Sequence, residues 1–219
     1  ELFYQNPAFP LRFYDVMVNK EETVMYLTES GEGSGNNLYV RDLRRPDAQF
    51  VQMTNDMNLQ YSPVQTVGDS IYIFTNAGAQ KNRLMIAKPG IKDWKVLVPE
   101  AEYVLDDVTF THGKMVLNYS KDASSHCYLY TLEGRNIGEI KLPSVGSVSF
   151  SGERNEPECF FSFSSFTVPG TVYQFDTDSR TSRVYSQPKV NFKPNDFVTK
   201  QVFYASKDGT RVPMFLTYR

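Results

Sequence analysis

Ser62-Pro-Val-Gln-Thr-Val67, Ser70-Ile-Tyr-Ile-Phe-Thr-Asn76, Arg83-Leu-Met-Ile-Ala-Lys88 and Trp94-Lys-Val-Leu-Val-Pro99 are four short runs with Gly, Asp, Asn and Pro between them. Runs of this length, rich in Val, Ile, Tyr and Phe and bounded by turn formers, read as strands. The same grouping of four recurs on both sides. Upstream stand 12–19, 23–29, 37–43 and 49–55. Downstream stand 104–111, 114–120, 127–132 and 137–143, then 147–151, 158–164, 171–176 and 182–187. No convincing amphipathic helix interrupts them.

Equivalent positions keep a constant step. Second strands place Tyr26, Tyr72, Val116 and Phe161 at intervals of 46, 44 and 45 residues. Third strands place Tyr39, Met85, Leu129 and Tyr173 at 46, 44 and 44. A period of about 40–50 residues with four strands per unit is the signature of a β-propeller, in which stacked blades bury faces that one sheet cannot bury alone. The expected fold is therefore all-β, four consecutive blades of a larger ring. Four blades lie at the low end for closure, so the missing blades are expected upstream. An all-β sandwich would not need this step.

Composition agrees and excludes several functions. Aromatic residues make up 14% of the 219 residues, and the formal net charge is −2. A nucleic-acid binder would carry a basic stripe, and no apolar run reaches membrane-spanning length. Neither nucleic acid nor membrane is expected as a partner. Glu1-Leu2-Phe3-Tyr4 has the character of an interrupted strand, so the start reads as a cut. The two cysteines, Cys127 and Cys159, do not form a disulfide framework. Buried free thiols favour a reducing, cytoplasmic compartment over a periplasmic one.

The rhythm breaks after Pro188. Pro188 and Pro194 bracket a loop, and 196–204 then reads as a strand. Ser206-Lys-Asp-Gly-Thr210 is a hairpin turn, and 212–218 is the partner strand. A lone hairpin is marginal without a sheet to join, so this one is expected to open another domain. It is expected to detach from the blades. The division is a partial propeller over 1–190, then a linker and the first strands of a truncated domain over 191–219.

Gln201-Val-Phe-Tyr-Ala-Ser-Lys-Asp-Gly-Thr-Arg-Val-Pro-Met-Phe-Leu216 resembles the junction where prolyl oligopeptidases pass from propeller into α/β-hydrolase domain. Trp94-Lys-Val-Leu-Val-Pro-Glu100 is similar to an outer blade strand of that family. Leu142-Pro-Ser-Val-Gly-Ser147 and Phe160-Phe-Ser-Phe-Ser-Ser-Phe-Thr-Val-Pro-Gly170 are similar to its last blade. The pieces keep the family's order and cover nearly the whole chain. The related oligopeptidase B group shares the Asp-Gly…Val-Pro hairpin, but the Phe-Ser-Ser-Phe-Thr-Val-Pro-Gly run favours the proline-specific branch.

The resemblance implies a seven-bladed propeller covering a serine–aspartate–histidine site that cleaves short peptides after proline. It implies short proline-containing peptides and the chain's own catalytic domain as partners, and no cofactor. An oligopeptidase B-like serine peptidase and a non-enzymatic propeller that binds proteins are the competing readings. The Gln201–Tyr218 hairpin argues against the last.

No catalytic, cofactor-binding or metal-binding residue is assigned. Gly-x-Ser-x-Gly, the nucleophile turn of α/β-hydrolases, does not occur; Gly33-Ser34-Gly35 is too short and Gly146-Ser147 lacks the second glycine. His112 and His126 read as solvated turn histidines, and no spacing suggests zinc. Cys127 beside His126 is no pair, because strand neighbours face opposite ways. The same alternation separates Asp106 from Asp107. Gly31–Gly35 reads as a flexible hairpin loop rather than a phosphate cradle, since no helix follows it. Lys20–Glu22 and Arg41–Arg45 read as solvated charge.

Overall fold

A computed structural model of the chain describes residues 4–219. The strand-like start proposed for Glu1–Phe3 lies outside them; Tyr4 is irregular. Each group of four runs forms one antiparallel meander in chain order, the arrangement of a propeller blade. The first sheet holds β1 (Phe13–Val18), β2 (Val24–Ser30), β3 (Asn37–Asp42) and β4 (Val51–Gln52). The second holds β5 (Tyr61–Val67), β6 (Ser70–Thr75), β7 (Arg83–Lys88) and β8 (Ile91–Val98). The third holds β9 (Val104–Thr111), β10 (Lys114–Lys121), β11 (Ser124–Thr131) and β12 (Asn136–Ile140). The fourth holds β13 (Ser147–Gly152), β14 (Cys159–Ser164), β15 (Thr171–Asp176) and β16 (Thr181–Ser186). After a 3-10 turn at Pro194–Asp196, β17 (Val198–Ala205) and β18 (Arg211–Tyr218) form a separate hairpin. No α-helix occurs among the described residues, and no helix is long and apolar enough to cross a membrane.

The chain divides into two compact units, Glu1–Glu102 and Tyr103–Arg219. In the first unit, Val24, Tyr26, Leu38, Val40 and Met53 of the first sheet pack on Tyr61, Ile71, Ile73 and Ala87 of the second. The Tyr26 and Thr66 hydroxyls bond across the same seam. In the second unit, Val116, Cys127, Leu129 and Ile140 of the third sheet meet Val148, Phe150, Cys159, Phe161, Phe163 and Phe175 of the fourth. Phe161 stacks on Tyr173 with ring centroids 4.9 Å apart. The cores therefore lie between sheets, as blade stacking requires. First strands are neighbours there too, since Thr109 Oγ1 of β9 lies 3.4 Å from the Phe150 carbonyl of β13.

Several strand limits depart from the sequence reading, and three have a local cause. The run 49–55 shortens to Val51–Gln52, because the Thr54 hydroxyl takes the next ladder position and accepts from Leu38 N at 2.8 Å. β8 starts at Ile91, directly after the Pro89-Gly90 turn that pairs Lys88 with Ile91. β11 starts at Ser124, after a two-residue turn with Asp122 at φ 49° and Ala123 at φ 59°. Positive φ at both central residues defines a type I′ turn.

Candidate functional site

His112 occupies the turn between β9 and β10 at φ 42°. Its Nε2 lies 3.7 Å from Asp178 Oδ2 in the turn between β15 and β16. Lys114 Nζ holds the same carboxylate and donates to the Thr177 carbonyl at 3.2 Å. His112 N and Gly113 N donate to the carbonyls of Glu153 and Arg154. Every group here ties the third sheet to the fourth, and Asp178 is committed to an ammonium. A base oriented by a free carboxylate is not what the geometry provides.

His126 corrects the sequence reading. It sits inside β11 opposite Tyr119, with a third of its side chain exposed, and not in a turn. Its surroundings include a grouping that spacing did not reveal. Ser124 Oγ lies 3.5 Å from His126 Nε2, and Glu139 Oε1 lies 3.5 Å from His126 Nδ1. Serine, histidine and carboxylate thus stand in the order of a nucleophilic triad. The proton polarity is wrong, however. Ser124 Oγ donates to the Lys121 carbonyl at 2.9 Å, so it has no proton left for the imidazole. Ser124 is also buried at the foot of its turn, which denies a substrate carbonyl an approach.

The Asp106–Asp107 pair is also corrected. β10 pairs Asn118 with Asp107 and Tyr119 with Leu105, leaving Asp106 as the extra residue of a bulge. Strict alternation of faces therefore fails at this point. Both residues are exposed, and Asp107 accepts from the Thr109 hydroxyl at 3.1 Å. Partial burial is the main cause raising the Asp106 carboxyl; Ser120 opposes it and the Asp107 charge adds to it. No group of three His, Cys, Asp or Glu residues able to hold a metal occurs among the described residues.

Cys127 and Cys159 are both fully buried free thiols. Burial, with the charges of Asp107 and Glu139 adding to it, pushes the Cys127 thiol up to about 12. Burial raises Cys159 as well. Neither is a nucleophile at neutral pH.

Gly31–Gly35 is pinned rather than flexible. Gly35 N donates to Met57 O at 2.7 Å and Asn36 N to Leu59 O at 3.0 Å. A Cβ on Gly33 or Gly35 would stand 2.0 Å from a carbonyl oxygen of that crossing segment. The glycines let two backbones touch, and their amides serve the fold.

The densest polar constellation of the first unit centres on Glu29, which is wholly buried. Its carboxylate accepts from Asn6 Nδ2 at 3.3 Å, Tyr14 Oη at 3.0 Å, Asn37 Nδ2 at 3.1 Å and Tyr39 Oη at 2.9 Å. Arg12 Nη1 lies 3.1 Å away, with its guanidinium stacked 3.6 Å over Phe9. Burial alone would raise this carboxyl. The donors Asn37, Arg12, Tyr39 and Tyr14 outweigh it and hold the group down at about 2. A carboxylate with its lone pairs filled is a staple rather than a base. The sequence hint was slight, one Glu at the end of an apolar strand run.

These constellations support the fold, and what the chain belongs to comes from comparison. The family model described as the prolyl oligopeptidase N-terminal beta-propeller domain matches residues 1–188. A prolyl endopeptidase of Elizabethkingia meningoseptica is 31% identical over 223 residues, covering 100% of this chain and 31% of that protein. A solved prolyl endopeptidase structure superposes with a TM-score of 0.84 at 28% identity, covering 95% of this chain and 31% of the other. Apo prolyl oligopeptidase B of Galerina marginata reaches a TM-score of 0.90 at 24% identity, covering 99% of this chain and 32% of the other, which speaks for the fold alone. The chain spans about a third of the length of the relatives it matches. With four successive blade meanders and a family match over residues 1–188, the chain belongs to the prolyl oligopeptidase family and carries part of its N-terminal β-propeller domain.

Proposed function

We propose that this chain is the propeller lid of a proline-specific serine oligopeptidase. The observation that carries the reading is continuity: relatives of this activity align along the whole chain, through the last blade and into the β17–β18 hairpin. The propeller ends near residue 190, and 191–219 is a linker followed by the first strands of an α/β-hydrolase domain. A ring of seven blades would need three more than these four. The serine nucleophile, its histidine and its aspartate belong to the rest of that hydrolase domain.

The lid works by size. First strands β1, β5, β9 and β13 face the axis of the ring and set the width of its channel. A folded protein cannot reach a site behind such a wall, whereas a short proline-containing peptide can. The buried free thiols suit a cytoplasmic compartment.

The test uses a fluorogenic peptide ending in Gly-Pro. The 219-residue chain should give no turnover, and the full-length polypeptide should cleave after proline and be silenced by a serine-directed phosphonate. Turnover by the short chain that is lost in His126→Ala would overturn the assignment of catalysis to the other domain.

A further inference from the structure

The hairpin does not detach from the blades as its sequence suggested. Phe215 of β18 meets Phe166 with ring centroids 5.3 Å apart, and Gln201 Nε2 of β17 donates to the Asp122 carbonyl at 2.6 Å. Gln201 and Phe215 are cross-strand partners, so both contacts fall on one rung of the hairpin. Phe166 stays mostly exposed, at 69%, with the hairpin in place, so the ring contact lies at the surface.

Three loops build what the rung touches. The first is the type I′ turn at Asp122-Ala123, which holds two residues at positive φ without a glycine. The second is Val145-Gly146, tied to the first by Ser125 N donating to Gly146 O at 2.9 Å. Gly146 lies so close to the last blade that a Cβ would stand 2.3 Å from Ser164 O and 2.7 Å from the Phe163 ring. The third is the loop after β14, where Ser165 Oγ accepts from Val168 N at 3.1 Å and Ser165 N donates to Val168 O at 2.9 Å. That small turn presents Phe166. Together the loops surround a recess of about 460 Å³ lined by Ala123, Val145, Ser164, Phe166 and Phe215.

We propose that these three loops form a preformed seat for the β17–β18 hairpin, and that the Gln201–Phe215 rung is the latch that locks into it. A two-stranded hairpin is marginal by itself, so its order depends on the seat. The seat is fixed by bonds among the blade loops, and the ring contact and the hydrogen bond that reach it from the hairpin fall on one rung. Hairpin and blades can then part without disturbing either sheet. If the hairpin opens a catalytic domain, as proposed above, this latch is the point about which that domain seats on the propeller.

Hydrogen–deuterium exchange of the 219-residue chain, read peptide by peptide, tests the latch without any assay of activity. A failed peptidase reading therefore leaves the test intact. In Phe166→Ala, and separately in Phe215→Ala, amides of β17 and β18 should exchange at least about threefold faster. Amides of β13–β16 should keep their protection in both variants. Phe166→Tyr, which preserves the ring contact, should restore the hairpin to its original rate. Unchanged hairpin exchange in both alanine variants would overturn the proposal. So would equal loss of protection in the hairpin and in β13–β16, because the contact would then be general packing.

Discussion

Glu29 shows how a single residue can look functional and be structural. Its folded-state carboxyl is depressed from the ordinary glutamate range to about 2, so its stabilising effect is present above the unfolded pKa. That effect is lost as pH falls from about 4.5 towards 2. Glu29→Gln should cost roughly 2–3 kcal/mol at pH 7, since it removes the charge facing Arg12 and turns an amide NH2 towards groups that themselves donate. Urea unfolding at pH 7, 4 and 2.5 should show the gap between wild type and variant narrowing with acid. A gap that stays constant would mean that the charge is not what matters. Tyr14 carries the complementary signature, raised to about 12 by burial and then by its bond to Glu29. The two thiols make a second residue-scale prediction. Neither Cys127 nor Cys159 should react with a thiol reagent at pH 8 in the folded chain, and both should react in denaturant. Fast native labelling of one thiol would show that the core between the third and fourth sheets opens.

The elements show what could be read from the sequence and what could not. Strands were legible because each blade is a run of β-branched and aromatic residues between turn formers. Their faces were not, because a blade is covered on both sides and its middle strands are buried nearly throughout. The ladder pairs Leu27 with Tyr39 and Ile73 with Met85, but Val116 with Leu129 and Phe161 with Tyr173. The aromatic step through Tyr26 and Tyr72 thus ran one residue out of register in the first two blades. Either face offers an apolar residue, so spacing alone could not choose between them. The Pro89-Gly90 turn was legible and fixes the start of β8. The turn before β11 was not, since Asp122-Ala123 lacks the glycine that usually signals type I′. That omission misplaced His126 and hid its contacts with Ser124 and Glu139.

Gly31–Gly35 failed for a different reason. Local composition says flexible, and only the distant segment 56–61 makes the loop rigid. Gly35→Ala should destabilise the chain by about 2 kcal/mol or more, because the clash is with backbone and not with a movable side chain. Thermal unfolding with a midpoint unchanged from wild type would show that the segment 56–61 yields. Ala123→Gly should act in the opposite direction, by about 0.5–1 kcal/mol, by relieving a positive φ.

At the scale of the molecule, blade stacking explains both the stability and the proposed role. Each unit buries its core between sheets rather than within one, which is why the four-strand blade is repeated. The exposed apolar residues of β1, Phe13, Val16 and Met17, and of β16, Val184 and Tyr185, lie on edge strands of their sheets. Family membership was legible because the junction sequence and the last blade are specific in order and spacing. The Ser124–His126–Glu139 grouping was not legible, and its serine lacks the proton polarity and access that a nucleophile needs.

On the proposed function, the propeller of the full-length protein admits short proline-containing peptides and turns folded proteins away. The most direct measurement compares cleavage rates of the full-length polypeptide on one proline-containing sequence, presented first as a free short peptide and then within an exposed loop of a stable folded protein. The account predicts rapid cleavage after proline in the peptide and none in the folded host. Equal rates on both, or no cleavage of the free peptide, would contradict it.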